Sequence, residues 1–137
     1  MKKIVLGILI ILVIVVIAFI YSEYSKKHNS YSTPEEALGN LEDPIFPVLE
    51  VIDTKIYGNV AYVLFYSTVG ESPDSYLAAG RINKNDYGWS FHEIIGIGNI
   101  DKDNLGMAAG KGDYIVGFVQ KDVDKVMFET KEADMIL

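Results

Sequence analysis

The chain has 137 residues, half of them apolar, and 12 lysines and arginines against 19 aspartates and glutamates, for a formal net charge of −7. It contains no cysteine, which excludes disulfides and cysteine-ligated metals. Its only arginine is Arg81 and no basic patch occurs, so phosphate recognition and nucleic-acid binding are disfavoured.

Residues 4–20 read IVLGILIILVIVVIAFI, without a charge or a polar side chain. With Tyr21 they make about 27 Å of helix, close to the hydrocarbon thickness of a bilayer. The run is apolar on every side, so it has no polar face with which to lie at an interface or close over a soluble core. We assign residues 1–21 to a transmembrane anchor that contacts membrane lipid. The competing reading is a cleaved signal peptide. Lys2-Lys3 fits the start of one, but the apolar run is longer than a signal requires. The exit Phe19-Ile20-Tyr21-Ser22 lacks a small-residue cleavage pattern, and Val16-Ile17-Ala18 lies inside the run. Lys2 and Lys3 before the span balance Lys26 and Lys27 after it, so flanking charge alone sets no orientation. The short N-terminal tail and signal-like start favour an inside N-terminus with the remainder extracytoplasmic.

Residues 22–32, SEYSKKHNSYS, are polar and aperiodic, and read as a linker. Residues 33–137 read as one small α+β, β-rich domain carrying about −9, which should stand off an anionic membrane surface. It opens with a helix start: Thr33 as cap, Pro34 at the first position, and Glu36 three residues after the cap. Ala37, Leu38 and Leu41 form the expected apolar face.

From Val48 the hydrophobic period becomes two. Residues 48–57 and 60–67 are predicted strands joined at Gly58-Asn59, where both turn residues tolerate positive φ. Ile52, Thr54 and Ile56 should share one face, with Asp53 and Lys55 on the other. The second strand, VAYVLFYS, is apolar on both faces and is expected inside the sheet, with Val63 and Phe65 opposite Leu64. A second hairpin is expected from residues 76–83 and 89–97, with Trp89, Phe91 and Ile95 alternating with Ser90 and His92. Residues 98–113 read as a long glycine-rich loop. A third hairpin is expected from residues 114–120 and 125–130, and residues 134–137 look like the start of a further strand. This pattern predicts an α+β fold: a single transmembrane helix, a short helix, and an antiparallel sheet of six or seven strands built from hairpins.

Motifs that carry chemistry are sparse. His28 falls in the expected linker, and His92 neighbours Glu93 on a strand, where successive side chains point apart. Asp101-Lys102-Asp103-Asn104-Leu105-Gly106 begins like a calcium loop, but Leu105 and Gly112 stand where oxygen ligands belong. The segment from Gly106 to Gly112 has too short a glycine spacing for a phosphate loop and no Ser or Thr after Lys111. No residue is therefore assigned a catalytic, cofactor-binding or metal-ligating role, and no cofactor is expected. Tyr57, Tyr62, Tyr66, Tyr76, Tyr87 and Trp89 cluster in the hairpins, where they serve either as half-buried strand residues or as a binding surface.

Thr33-Pro34-Glu35-Glu36-Ala37-Leu38, Ala61-Tyr62-Val63-Leu64-Phe65-Tyr66-Ser67, Tyr87-Gly88-Trp89 and Val126-Met127-Phe128-Glu129-Thr130-Lys131 together resemble small membrane-anchored proteins of Bacillus-type Gram-positive bacteria that have no assigned activity. The resemblance implies an exported, anchored α+β or β-rich domain that continues through further strands, and brings no catalytic residues. The functional expectation is non-enzymatic binding of a protein or peptide at the cell envelope. The alternatives are an envelope-polymer hydrolase using scattered carboxylates and an immunity-type protein against a secreted toxin.

Overall fold

In the computed structural model the chain begins with helix α1, Lys2–His28, 27 residues or about 40 Å long. The structure describes residues 2–41, 45–68, 76–100, 108–111, 114–120 and 122–133. None of the apolar stretch of α1 packs against the rest of the chain. The helix does not stop at Tyr21; it continues seven residues into the segment expected to be a linker. Polarity misled here, because a polar helix can be held by its own side-chain pairs. Lys26 Nζ lies 2.7 Å from Glu23 Oε1 one turn back, and the His28 ring stacks on Tyr24 at 5.9 Å. Lys26, Lys27 and His28 fill the last turn, where cations meet the negative end of the helix dipole.

Helix α2, Pro34–Gly39, forms as its start signal predicts. Thr33 Oγ1 accepts a 3.2 Å bond from the Glu36 amide. The Glu36 carboxylate reaches one residue further back than the usual capping box, to the Ser32 amide at 3.1 Å. Ala37 and Leu38 face inward and are buried.

Four strands follow in hairpin order: β1 Val48–Tyr57, β2 Val60–Ser67, β3 Tyr76–Asn85 and β4 Gly88–Asn99. All neighbours are antiparallel, and β2 and β3 are interior. Both tight turns, Gly58-Asn59 and Asp86-Tyr87, lie at the same end of the sheet, where the Lys84 amide donates to the Asn59 carbonyl at 2.8 Å. Gly58 has φ 61°, whereas Asn59 is not among the residues at positive φ. The turn therefore places one positive φ at its first central residue, as a II′ turn does, rather than two.

One face of the sheet packs on α2. Ala61, Val63, Phe65, Ala78, Ile82 and Trp89 join Ala37 and Leu38 there. Gly80 leaves the seat for the helix: a Cβ on it would stand 2.8 Å from Leu38 Cδ1. The opposite face carries Leu64, Leu77 and Ala79, with Ile52, Ile95, Ile97, Val116 and Phe118 against them.

Irregular register overturns two expected alternations. The pairing slips between Val51 and Asp53, so Ile52 packs with Leu64 on the outer face while Thr54, opposite Val63, stays on the α2 face. A second slip between Arg81 and Ile82 leaves His92 unopposed. Trp89 and Phe91 then face α2 while Ile95 faces outward.

The remaining strands do not extend this sheet. β5 Ala108–Lys111 pairs with β6 Tyr114–Gly117, and β7 Met127–Phe128 with β8 Lys131–Glu132, each as a separate two-stranded ladder. The expected third hairpin is thus replaced. The partner of the Tyr114 strand lies inside the presumed glycine-rich loop, whose start is also taken up by β4. Glycine content concealed a strand whose pairing needs little side-chain bulk. The possible strand at 134–137 falls outside the described residues.

Candidate functional site

Residues paired across antiparallel strands point to the same face. Lys55 opposes Tyr62, Tyr62 opposes Arg81, and Arg81 opposes Glu93. These four therefore form one row across the whole outer face, from edge strand to edge strand. Arg81 Nη1 lies 3.8 Å from Glu93 Oε1, and Lys55 Nζ lies 3.2 Å from Asp53 Oδ2. All four charged side chains are partly screened from solvent.

Aromatic rings continue the row. The ring centroids of Tyr57 and Tyr62 are 6.1 Å apart, and those of Tyr62 and Tyr114 are 4.9 Å apart, both tilted. Tyr62 is buried beneath its neighbours, whereas Tyr57 keeps 54 % of its surface exposed. Such tilted pairs add about 0.5–1.5 kcal/mol beyond their buried area and hold the rings in fixed positions. The β5–β6 ladder brings Tyr114 to this site and covers the apolar end of the same face with Val116.

A second constellation joins α1 to the β3–β4 turn. The Tyr87 hydroxyl donates to Glu23 Oε2 at 2.9 Å. Ser30 Oγ and the Asn85 amide nitrogen are 2.9 Å apart. Tyr31 and Trp89 exchange two backbone bonds of 2.8 Å each, forming an isolated bridge. Asn85 Oδ1 also accepts from the Tyr87 amide at 2.8 Å, shaping the turn. The hydrogen bond to the Glu23 carboxylate raises the Tyr87 hydroxyl above its ordinary pKa, with the negative charge of Glu23 adding to it. Gly88 permits the close approach: it has φ 137°, and a Cβ there would collide with the Tyr31 carbonyl oxygen.

The aromatic residues singled out in the sequence thus divide. Tyr57 and Tyr62 belong to the outer-face row, Tyr87 and Trp89 to the joint, and Tyr76 packs its ring on Phe46 at 5.9 Å. Tyr66 flanks the apolar end of the outer face. Of the histidines, His28 stacks on Tyr24 and His92 is exposed at the register slip; Glu93 beside it engages Arg81. The possible calcium loop falls outside the described residues. In the glycine segment after it, Ala108–Lys111 is strand β5. Among the described residues, no three His, Asp or Glu side chains gather as metal ligands.

Sequence reasoning did not single out Tyr114, Glu23 or Asn85 as partners. Asn85 could have been found, since Asn two residues before a turn amide is a side-chain turn signal. Tyr114 and Glu23 had no local signal, because their partners lie far away along the chain. No family model, curated protein or solved structure matches the chain.

Proposed function

We propose that this is a single-pass, membrane-anchored, extracytoplasmic domain that binds a protein or peptide without chemically transforming it. The single observation carrying this reading is the outer-face row Lys55–Tyr62–Arg81–Glu93 with Tyr57 exposed beside it. Aromatic residues and arginine are the side chains enriched at protein-recognition surfaces, and other polar groups belong to their rims. Helix α1 supports the anchoring: it is the one helix among the described residues long and apolar enough to cross a membrane, and its apolar window is unburied. Glu50, Asp53 and Glu93 are carboxylates of this face, Glu50 and Asp53 on edge strand β1 and Glu93 on edge strand β4.

The test places a photo-crosslinking phenylalanine derivative at position 57 of the full-length protein in intact cells. A discrete protein adduct, lost on Arg81→Gln and absent with the same probe at position 56, whose exposed side chain points to the opposite face, supports the reading. Equal labelling from both positions, or turnover of envelope polymer by the purified full-length protein, overturns it.

A further inference from the structure

We infer that the β3–β4 turn, with Tyr87 and Asp86 at its tip, rests in the lipid headgroup layer of the membrane that α1 spans. The inference rests on the anchoring reading and adds a lipid-facing surface to the folded domain. Three measurements on the chain combine to give it. First, the charge-free run from Ile4 to Ile20 is seventeen residues long, or about 26 Å of helix, against about 30 Å of hydrocarbon. The span is short, so the helix has no slack to rise. Lifting it outward would carry the ammonium of Lys3 into the hydrocarbon from the other side. Second, Glu23 lies three residues beyond Ile20 on the same unbroken helix, about 4.5 Å along the axis. The headgroup layer is about 5–7 Å deep on each side, so the Glu23 carboxylate lies within it. Third, the Tyr87 hydroxyl is 2.9 Å from that carboxylate. The position of Glu23 therefore fixes that of the turn.

The chemistry of the joint suits this layer. Tyr21, Tyr24 and Tyr87 are exposed around it, at 72, 65 and 44 %. Tyrosine with an apolar ring and a polar tip is the side chain enriched at that depth. Although the domain is acidic overall, the local charge is not. Lys26, Lys27 and Lys84 stand against Glu23 and Asp86, and Lys84 is held over the Trp89 ring at 5.4 Å. The expectation that the domain stands off the surface followed from its total charge. The continuous helix and the local balance oppose it.

The absence of cysteine makes the test direct. Single variants Asp86→Cys, Ile17→Cys and Glu50→Cys of the full-length protein would carry a nitroxide label in phosphatidylcholine–phosphatidylglycerol vesicles. Collision with oxygen and with a water-soluble nickel chelate is then read by electron paramagnetic resonance. Position 50 is exposed near the end of β1 remote from the turns and serves as the aqueous reference. We expect the label at 86 to be several-fold less accessible to the chelate than that at 50. Equal accessibility at 86 and 50, with the label at 17 reporting hydrocarbon, overturns the seat and leaves the span intact. Free access of the chelate to position 17 overturns the span and the seat with it.

Discussion

Phe65 and Gly58 show how single residues hold this sheet. Phe65 is fully buried, between Val51 and Ala78 on the α2 face. Phe65→Ala should cost about 3–5 kcal/mol, since the facing Ala78 is too small to fill the void. At Gly58, by contrast, nothing lies within 4 Å of an added Cβ, so the only cost of a side chain is its φ of 61°. Gly58→Val should therefore destabilise by about 1–3 kcal/mol through backbone strain. Urea melts of the full-length protein in detergent, followed by Trp89 fluorescence, check both. Parental midpoints for the two variants would show the strand to be peripheral. Both residues were legible in the sequence, because a glycine before asparagine between apolar alternations marks a turn and a strand apolar on both faces marks an interior position. The φ of Asn59 was not legible: one and two positive φ values share the same residue preferences.

At the level of elements, α2 is tied to the sheet by packing and by one carboxylate. Leu38 is fully buried over Gly80, and Leu38→Ala should cost about 2–5 kcal/mol. Burial tends to raise the Glu35 carboxyl, but hydrogen bonds from Thr54, its own backbone amide and Thr33 outweigh this and hold it below the usual carboxylate range. A carboxyl depressed in the folded state contributes stability above its unfolded pKa and loses it as pH falls through the folded value. The domain should thus weaken as pH drops below about 4.5, the ordinary value. Glu35→Gln should flatten that acid limb while leaving the neutral-pH variant on its own plateau. Midpoints measured across the acid range decide this; an unchanged acid limb would remove Glu35 from the account. Helix α2 was readable because its cap, its proline and its apolar pair all agree locally. The register slips at Ile52 and His92 were not, since a bulge changes facing without changing composition. The β5–β6 ladder was missed for a different reason: Ala108, Ala109 and Gly110 carry no strand-like bulk, and their partner defines them.

For the whole molecule, the division into an apolar helix and a following α+β domain was plain from hydropathy, while the joint between them was hidden. Tyr31–Trp89 and Glu23–Tyr87 connect segments remote in sequence, and no periodicity encodes such a pair. The outer-face row was hidden similarly, because Lys55, Tyr62, Arg81 and Glu93 align only after four strands are paired in register. For the orientation we propose, a reporter fused after Leu137 should be active only when it requires the extracytoplasmic side. Activity confined to a cytoplasmic-only reporter would reverse the assignment.

The unbroken course of α1 into the joint also makes the chain a ruler and a protractor. Each residue inserted between Tyr21 and Glu23 would raise the sheet by about 1.5 Å and swing it by about 100° around the anchor axis. One alanine would thus turn the outer face toward a different neighbour in the membrane plane with little change in height. Seven would nearly restore its bearing while lifting it by about 10 Å, clear of the headgroups. A partner approaching within the plane would respond to the bearing, whereas lipid contact would respond to the height. The same few residues of helix thus set two independent coordinates of the domain.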